Sequence, residues 1–161
     1  MRLVVQRVKT ASVSINGADV ASIKHGIMAL VGFGQQDGPQ FAATKTFAAM
    51  AQKLLDLRIF PDTATTSSHF QLSLQDYGGE LLLVPQFTLY ADCRKGRRPS
   101  FTDAGSPDWA EKLFAAFVRM VDESSAISVS SGIFGADMDV QLCNWGPVTI
   151  LLDSDTLYSA V

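Results

Sequence analysis

The opening of the chain constrains the fold most strongly, because apolar and polar residues alternate there in short runs. The alternation covers residues 3–8, 11–15 and 20–23, and the pair Asn16-Gly17 separates the last two runs. A period of two residues predicts β-strands with one buried face, and an Asn-Gly pair between two such runs is a strong hairpin signal. The chain is therefore expected to begin as antiparallel strands.

Two amphipathic helices are expected to cover the sheet. In residues 41–57 the apolar residues recur at helical spacing, and the string Asp-Gly-Pro at 37–39 predicts a helix start with an acidic cap and an early proline. For the second helix, Ser106 is the predicted cap and Pro107 the first helical residue, and the apolar stripe ends near Ser124.

The rest of the chain predicts further strands. Residues 26–33 form a continuous apolar run, which is typical of a strand buried on both faces, and residues 81–90 predict another strand. Shorter strand-like runs follow at 127–129, 138–142 and 148–152, and the polar residues 61–68 predict a surface loop. Runs of strands with helices between them predict an α+β fold, with a mostly antiparallel or mixed, partly barrel-like sheet and two main helices.

Length and charge limit what such a fold can do. A single domain covering residues 1–161 is expected, because this length can bury one compact core. The net charge of −3 argues against nonspecific nucleic-acid binding through a positive field, so any RNA contact must be local. No apolar run of about twenty residues could cross a bilayer, and no signal peptide builds up at the start. A cytoplasmic protein with no membrane partner is expected.

Neither the cysteines nor the histidines predict a metal site. Cys93 and Cys143 lie in separate strings without metal-ligand spacing, so reduced thiols are the simplest interpretation. His25 and His69 each lack a second His or Cys at ligand spacing. We therefore expect a protein without a metal.

Residues 84–101 are the most informative string for function, because an apolar strand leads there into polar groups. Gln86 and Thr88 lie two positions apart, so strand geometry would place both side chains on one face. One interpretation is a solvent-facing polar row on an edge strand. The other is a site in which these side chains and the backbone N–H groups between them stabilise the oxyanion of an ester. Thr88 as a nucleophile ranks lower, because the string offers no adjacent base.

Four cations follow this polar motif within five residues: Arg94, Lys95, Arg97 and Arg98. Such a run is often an ordinary solvated loop. Its position directly after the polar motif favours a local positive patch that could meet phosphate groups.

A second unusual string, Asn-Trp-Gly-Pro-Val-Thr, occupies residues 144–149. Gly146-Pro147 interrupts a strand pattern there, although proline removes a ladder donor and glycine weakens a strand. A cis peptide is one solution, but only about 5–6% of X-Pro bonds in folded proteins are cis, so the sequence alone makes trans the default.

Together the two strings resemble the signature pair of the D-aminoacyl-tRNA deacylases, and the likeness covers the whole chain. Matching stretches lie at residues 1–8, 57–60, 78–80, 86–101, 132–138 and 144–149. Pro85 departs from the serine usual in the family, and Trp145 departs from the usual aspartate. An animal branch that acts on wrongly charged L-alanyl-tRNA resembles this chain at position 85, but its other motif differs, so D-selectivity is favoured.

The resemblance implies a homodimeric cytosolic enzyme that needs no cofactor, with its active site at the subunit interface. Its substrate would be aminoacyl-tRNA, and it would hydrolyse the ester joining a D-amino acid, or glycine, to the terminal adenosine. The vicinal ribose hydroxyl of the substrate would help to activate the reaction. Gly146-Pro147, which is cis in the family, would enter the partner's pocket and exclude L side chains.

The resemblance also assigns roles to the remaining residues of both strings. Gln86, Phe87 and Thr88 would form the catalytic site around the ester. Substrate binding would fall to Phe134, Gly135, Met138, Asn144 and Thr149, and tRNA phosphates would meet Arg94, Lys95, Arg97 and Arg98.

Two other functions stay open at this point. The first is an RNA-binding module that recognises the acceptor end of tRNA without cleaving it, with Pro85 and Trp145 as the marks of lost catalysis. The second is a hydrolase for another acyl substrate that uses Thr88 or Cys93 as a covalent nucleophile.

Overall fold

The computed structural model describes residues 1–62 and 70–158. Within these ranges the strands are β1 (Arg2–Ile15), β2 (Ala18–Ile23), β3 (Gly26–Gly32), β4 (Glu80–Pro85), β5 (Val129–Ser131) and β6 (Asp139–Asp153). The helices are α1 (Lys45–Asp56), α2 (Leu74–Tyr77), α3 (Pro107–Glu123) and α4 (Ser154–Tyr158), and 3-10 turns form at Phe41–Ala43 and Phe87–Tyr90. The predicted loop covers residues 61–68, and its part after residue 62 lies outside the described residues.

One mixed sheet contains all six strands in the order β2-β1-β3-β4-β5, and β6 pairs with β1. β1 runs antiparallel to β2, β3 and β6, whereas β4 runs parallel to β3 and β5. β2 also approaches β4 and β5, so the sheet curls towards a barrel. The predicted α+β fold, with a partly barrel-like mixed sheet and the two main helices α1 and α3, is confirmed.

The predicted hairpin joins β1 and β2. Ile15 pairs with Ala18, which leaves Asn16 and Gly17 as a two-residue turn with φ values of 51° and 78°. Positive φ at both central residues defines the type I′ turn, whose twist matches that of the flanking strands. β1 is one strand rather than the two runs predicted, because the exposed residues 9–10 break the alternation where the register against β6 shifts.

Helices α1 and α3 bury the main core against one face of the sheet. Phe47 of α1 packs edge-on against Phe117 of α3, with ring centroids 5.5 Å apart. The opposite faces of β3 and β4 belong to a second, smaller core with β1 and β2. Both faces of β3 are therefore covered, which confirms the prediction from its continuous apolar run. No helix in the described part of the chain is long and apolar enough to span a membrane.

The helix start predicted at residues 37–39 is wrong. α1 begins after Thr44, whose Oγ1 accepts the Phe47 N–H at 3.2 Å. Asp37 instead accepts the Gly34 N–H at 2.7 Å and pairs with the Met1 amino group at 2.9 Å. The ammonium group is buried, and a buried charge needs a partner, so tertiary structure uses Asp37 for that purpose.

Replacing Asp37 with alanine should lower the free energy of unfolding by about 3 kcal/mol at neutral pH, because it leaves the buried Met1 ammonium without its counter-charge. Urea titration followed by circular dichroism measures the change. Asp19→Ala, at an exposed position on β2, is the control and should shift stability by less than about 0.5 kcal/mol. Equal midpoints for the two variants would contradict the prediction.

The second main helix is predicted correctly. α3 begins with Pro107, after Ser106, and ends at Glu123, with Ser124 as its C-cap residue. The Ser106 side chain makes no capping hydrogen bond, so the proline defines this start more than the serine does. The short helices α2 and α4 have too few residues for a periodic pattern, and the sequence did not predict them.

Candidate active site

A cavity of about 600 Å³ opens where β3 and β4 end, between the Phe87–Tyr90 turn and the start of α3. This volume lies in the range of small-molecule sites. Its lining is mostly apolar and includes five of the predicted site residues: Gln86, Phe87, Phe134, Gly135 and Met138. The fold therefore brings residues 86–87 together with residues 134–138, which lie almost fifty positions further along the chain.

The prediction that Gln86 and Thr88 lie on a strand is wrong. β4 ends at Pro85, and residues 87–90 turn into a 3-10 helix. Arg2 holds this turn, because it donates to the Leu89 carbonyl at 3.0 Å and lies 4.4 Å from the centre of the Tyr90 ring. Local periodicity does not report contacts with the start of the chain. The alternation at residues 86–89 therefore predicted a strand where the structure has a turn.

The turn still brings the two polar side chains together. Gln86 Nε2 donates to Thr88 Oγ1 at 2.6 Å. The Gln86 N–H is already used, because it donates to the Val31 carbonyl at 2.8 Å. Phe87 and Thr88 are the first residues of the turn, and the first N–H groups of a helix have no acceptor within it. Both residues are exposed. Phe87 lines the cavity, whereas Thr88 is the next residue of the turn and lies outside the lining. Their two N–H groups can bind a carbonyl oxygen at this edge of the cavity.

The arrangement does not favour a covalent nucleophile. An amide N–H is a donor and cannot take a proton, so Gln86 cannot activate the Thr88 hydroxyl. Cys93 is exposed but does not line the cavity. Asp137, which the sequence analysis did not single out, contributes the only ionisable side chain among the described lining residues and is exposed.

An aromatic pair at the cavity edge was also missed. Phe101 packs against Phe87 with ring centroids 5.0 Å apart, and the two residues are 38% and 54% exposed. Exposed rings of this kind offer a stacking surface to a nucleotide base. The sequence carried a weak signal, because Phe101 closes the string that contains Gln86 and the cations.

The second string forms a loop on the edge strand β6. Val8 pairs with Asn144 and Gln6 with Thr149, so residues 145–148 together face the single residue Arg7. The two strands predicted at 138–142 and 148–152 are therefore one strand, and this bulge interrupts its pairing. We call residues 145–148 the bulge loop. Its Gly146-Pro147 peptide is cis, as the resemblance implied and contrary to the default.

Asn144 closes the bulge loop at its base. Its Oδ1 accepts the Val148 N–H at 2.7 Å, and its Nδ2 donates to the Val148 carbonyl at 3.1 Å. The same Nδ2 also reaches Thr149 Oγ1 at 3.0 Å and Gln6 Oε1 at 3.1 Å. Asn144 and Thr149 do not line the cavity in this chain, and their bonds fix the shape of the loop.

Arg7 fills the inside of the bulge loop. Its guanidinium is buried and donates to the carbonyls of Trp145, at 2.8 Å, and Ile59. Burial lowers the pKa of Arg7. A Cβ on Gly146 would lie 2.7 Å from Val148 Cγ2 and 3.1 Å from Arg7 Nη2, and φ at this residue is +142°. Only glycine fits this position.

The bulge loop and the cavity are separate within one chain. Gly146 and Pro147 are exposed on β6 and do not line the cavity. β6 pairs only with β1 among the described strands, and Leu142 and Leu151 are exposed along it. A long edge strand with exposed apolar residues is a template for pairing with another chain.

The four cations lie in a loop closed by a bridge between Asp92 and Ser100. Arg94 is not free, because it pairs with Asp92 through Nε–Oδ1 and Nη2–Oδ2 contacts of 2.8 and 2.7 Å. These hydrogen bonds lower the pKa of Asp92 to about 2. In residues 1–62 and 70–158, no ion pair involves the exposed side chains of Lys95, Arg97 and Arg98.

Known proteins are similar to this chain along its whole length. The D-aminoacyl-tRNA deacylase of Desulfovibrio desulfuricans is 65% identical over 160 residues, which are 99% of this chain and 100% of that protein. The D-aminoacyl-tRNA deacylase of Solidesulfovibrio magneticus is 59% identical over 160 residues, which are 99% of each chain. Sequence similarity therefore extends from one end of these relatives to the other.

Solved structures share the fold. A structure of a c-Myc DNA unwinding element binding protein superposes with a TM-score of 0.85 at 36% identity, covering 95% of this chain and 98% of that one. A probable eukaryotic D-amino acid tRNA deacylase superposes with a TM-score of 0.78 at 22% identity, covering 94% and 97%, which shows the fold alone. The family model described as D-Tyr-tRNA(Tyr) deacylase matches residues 4–153, and the chain belongs to this family.

Proposed function

We propose that this protein hydrolyses the ester bond of D-aminoacyl-tRNA and releases free D-amino acid and tRNA. The observation that carries the proposal is the pair of N–H groups on Phe87, which lines the cavity, and on Thr88, which follows it as the second residue of the turn. Two such donors suit the oxyanion that forms when an ester carbonyl is attacked. Relatives that bear the name D-aminoacyl-tRNA deacylase and match the whole chain give further support.

The chemistry proceeds without a base supplied by Gln86 or Thr88. Water adds to the ester carbonyl, and the N–H groups stabilise the oxyanion that forms. Collapse of the oxyanion breaks the ester bond and expels the ribose oxygen, which takes up the proton that the attacking water gives up. The vicinal hydroxyl of the substrate assists, as the family resemblance implies. Gln86 orients the site, because its amide donates to Thr88 Oγ1 and leaves the threonine O–H free to donate to substrate.

Chirality is screened by a second copy of the chain. Gly146-Pro147 is exposed on an unpaired edge and lies apart from the cavity of its own chain, which supports a dimer in which each loop enters the partner's cavity. The loop would fill the space of an L side chain, so selection acts by exclusion. Glycine has no side chain to exclude, and glycyl-tRNA should therefore also be cleaved.

The part of the cavity lined by Phe134, Gly135 and Met138 is proposed to hold the terminal adenosine. The exposed Phe87–Phe101 pair offers a stacking surface. We place the site in one domain of residues 1–161 that acts in the cytoplasm. Asn144 and Thr149 act on the substrate through the loop that they fix.

The proposal is tested with D-tyrosyl-, L-tyrosyl- and glycyl-tRNA, incubated with purified protein with and without a chelator. We expect rapid, chelator-resistant loss of the D-tyrosyl and glycyl esters while the L-tyrosyl ester persists. Tight tRNA binding with no ester cleaved would instead identify a non-catalytic acceptor-end binding protein. Sedimentation of the same sample should give a dimer.

The loop between Asp92 and Ser100 carries the four cations, and we call it the cation loop. It should make tRNA binding sensitive to salt. Replacing Lys95, Arg97 and Arg98 together with alanine should reduce the slope of log affinity against log salt by about two to three, because each phosphate contact contributes roughly 0.7–0.9. Adding Arg94→Ala should change the slope less, because Asp92 already balances that charge. Filter binding of tRNA between low and moderate salt measures the slopes.

Lys53→Ala, at an exposed position on α1, is the control for a lost surface charge and should keep the original slope. A triple variant that also keeps it would remove the cation loop from the tRNA interface.

A further inference from the structure

We propose that Trp145 is a positioning residue for the bulge loop and acts through Arg7. This inference rests on the proposed function, in which the loop screens the chirality of the substrate. Trp145 departs from the aspartate that the resemblance implies at this position, and in this chain its ring lies over the Arg7 guanidinium.

Arg7 is a buried cation without a carboxylate partner among the described residues. It is 7% exposed and takes part in none of the ion pairs found there. Trp145 supplies two of its contacts, because the backbone carbonyl accepts from Nε at 2.8 Å and the guanidinium carbon lies 4.5 Å from the ring centre. The electron-rich face of an indole stabilises a desolvated cation, so the ring replaces an acid in this environment.

The indole ring is itself anchored in an aromatic cluster. It packs edge-on against His25 at 5.5 Å and lies 6.1 Å from Tyr77 and 6.4 Å from Phe60. Phe60 is fully buried and stacks on Tyr77 at 4.6 Å, so the cluster is tied to the core. An aspartate side chain is too short to join such a cluster.

The link to the screening dipeptide is the contact between Arg7 and Gly146. Arg7 Nη2 lies 3.1 Å from the place where a Cβ on Gly146 would be, so the guanidinium supports this residue from inside the loop. The indole therefore helps to position Arg7, together with the Ile59 carbonyl and the more distant Phe70 ring at 5.4 Å. Arg7 in turn limits how far Gly146 can move inwards. Exclusion of an L side chain depends on that distance, whereas cleavage of a D-ester does not need it to the same degree.

The test compares Trp145→Ala, Trp145→Phe and Trp145→Asp on D- and L-tyrosyl-tRNA. In Trp145→Ala the kcat/KM for the L-ester should rise so that the D-to-L ratio falls about tenfold, the size expected for loss of a cation–π contact. Trp145→Phe keeps a ring over Arg7 and should restore most of the ratio, and Trp145→Asp should restore less. Tyr77→Phe keeps its ring and is the matched control.

If Trp145 only fills space, both rates should fall together in every variant and the ratio should stay constant, which would overturn the inference. A second measurement does not depend on turnover. The Val148 N–H donates to Asn144 Oδ1 across the base of the loop, so its hydrogen exchange reports loop order. Exchange should be about tenfold faster in Trp145→Ala and recover in Trp145→Phe.

The two measurements separate the inference from the function on which it rests. A wild-type protein that cleaves no D-ester would defeat the proposed function, and the exchange experiment would still decide whether Trp145 positions the loop. Unchanged Val148 exchange in Trp145→Ala would defeat the positioning role even in a fully active enzyme.

Discussion

Replacing Gly146 with alanine should lower the ratio of D- to L-tyrosyl-tRNA hydrolysis by about 10²-fold. A displacement of about 1 Å changes the rate of a positioned reaction by about 10²-fold, and we expect a displaced loop to change the relative rates of the two esters by a similar factor. The new methyl group would lie 2.7 Å from Val148 Cγ2, and φ of +142° is unfavourable for any residue with a Cβ. The loop must move, and the space that we propose it denies to an L side chain should open. Parallel hydrolysis of the two esters measures the ratio.

Gly38→Ala is the matched control for the strain itself. Gly38 also has a positive φ, of 66°, but a Cβ there meets nothing within 4 Å. This variant should lose some stability and keep its chiral ratio. A Gly146→Ala protein that is dimeric, folded and as selective as the wild type would show that the bulge loop does not screen the substrate.

Replacing Phe87 with proline should lower kcat by about 10²–10³-fold relative to Phe87→Ala, because only the proline removes the backbone donor proposed for the oxyanion. Phe87 is the first residue of the turn, a position where proline is common. Gln86 has φ of −148° and ψ of 89°, outside the α region that a following proline disfavours.

Phe87→Ala separates the ring from the N–H group, since it removes the contact with Phe101 and keeps the donor. Its main effect should be a higher KM, because the stacking surface is lost. Equal kcat values for the alanine and proline variants would exclude the Phe87 N–H as an oxyanion donor.

Thr88→Val separates the oxyanion mechanism from covalent catalysis. It keeps the shape of the side chain and the backbone N–H but removes the hydroxyl, so turnover should be reduced and still measurable. A covalent role for Thr88 predicts complete loss of turnover and a kinetic burst in the wild type. Single-turnover measurements distinguish these outcomes.

Prediction from sequence succeeded where a short segment decides its own conformation. Asn16-Gly17 adopts the turn that its composition favours, and Pro107 begins α3 as expected. Prediction from sequence failed where a contact with a distant part of the chain decides the local conformation. Asp37 pairs with Met1 rather than capping a helix, and the turn after Pro85 is held by Arg2. Both partners lie at the start of the chain, beyond any local pattern.

The sequence by itself determined the family, the α+β class, the hairpin at Asn16-Gly17 and the two main helices. Only the tertiary structure decided that Gln86 and Phe87 share a cavity with Phe134, Gly135 and Met138, and that Arg7 lies inside the bulge loop. The reason is physical. Periodicity and turn chemistry act over a few residues, whereas β1 and β6 pair two ends of the chain and place Gly146-Pro147 on an edge, away from the cavity.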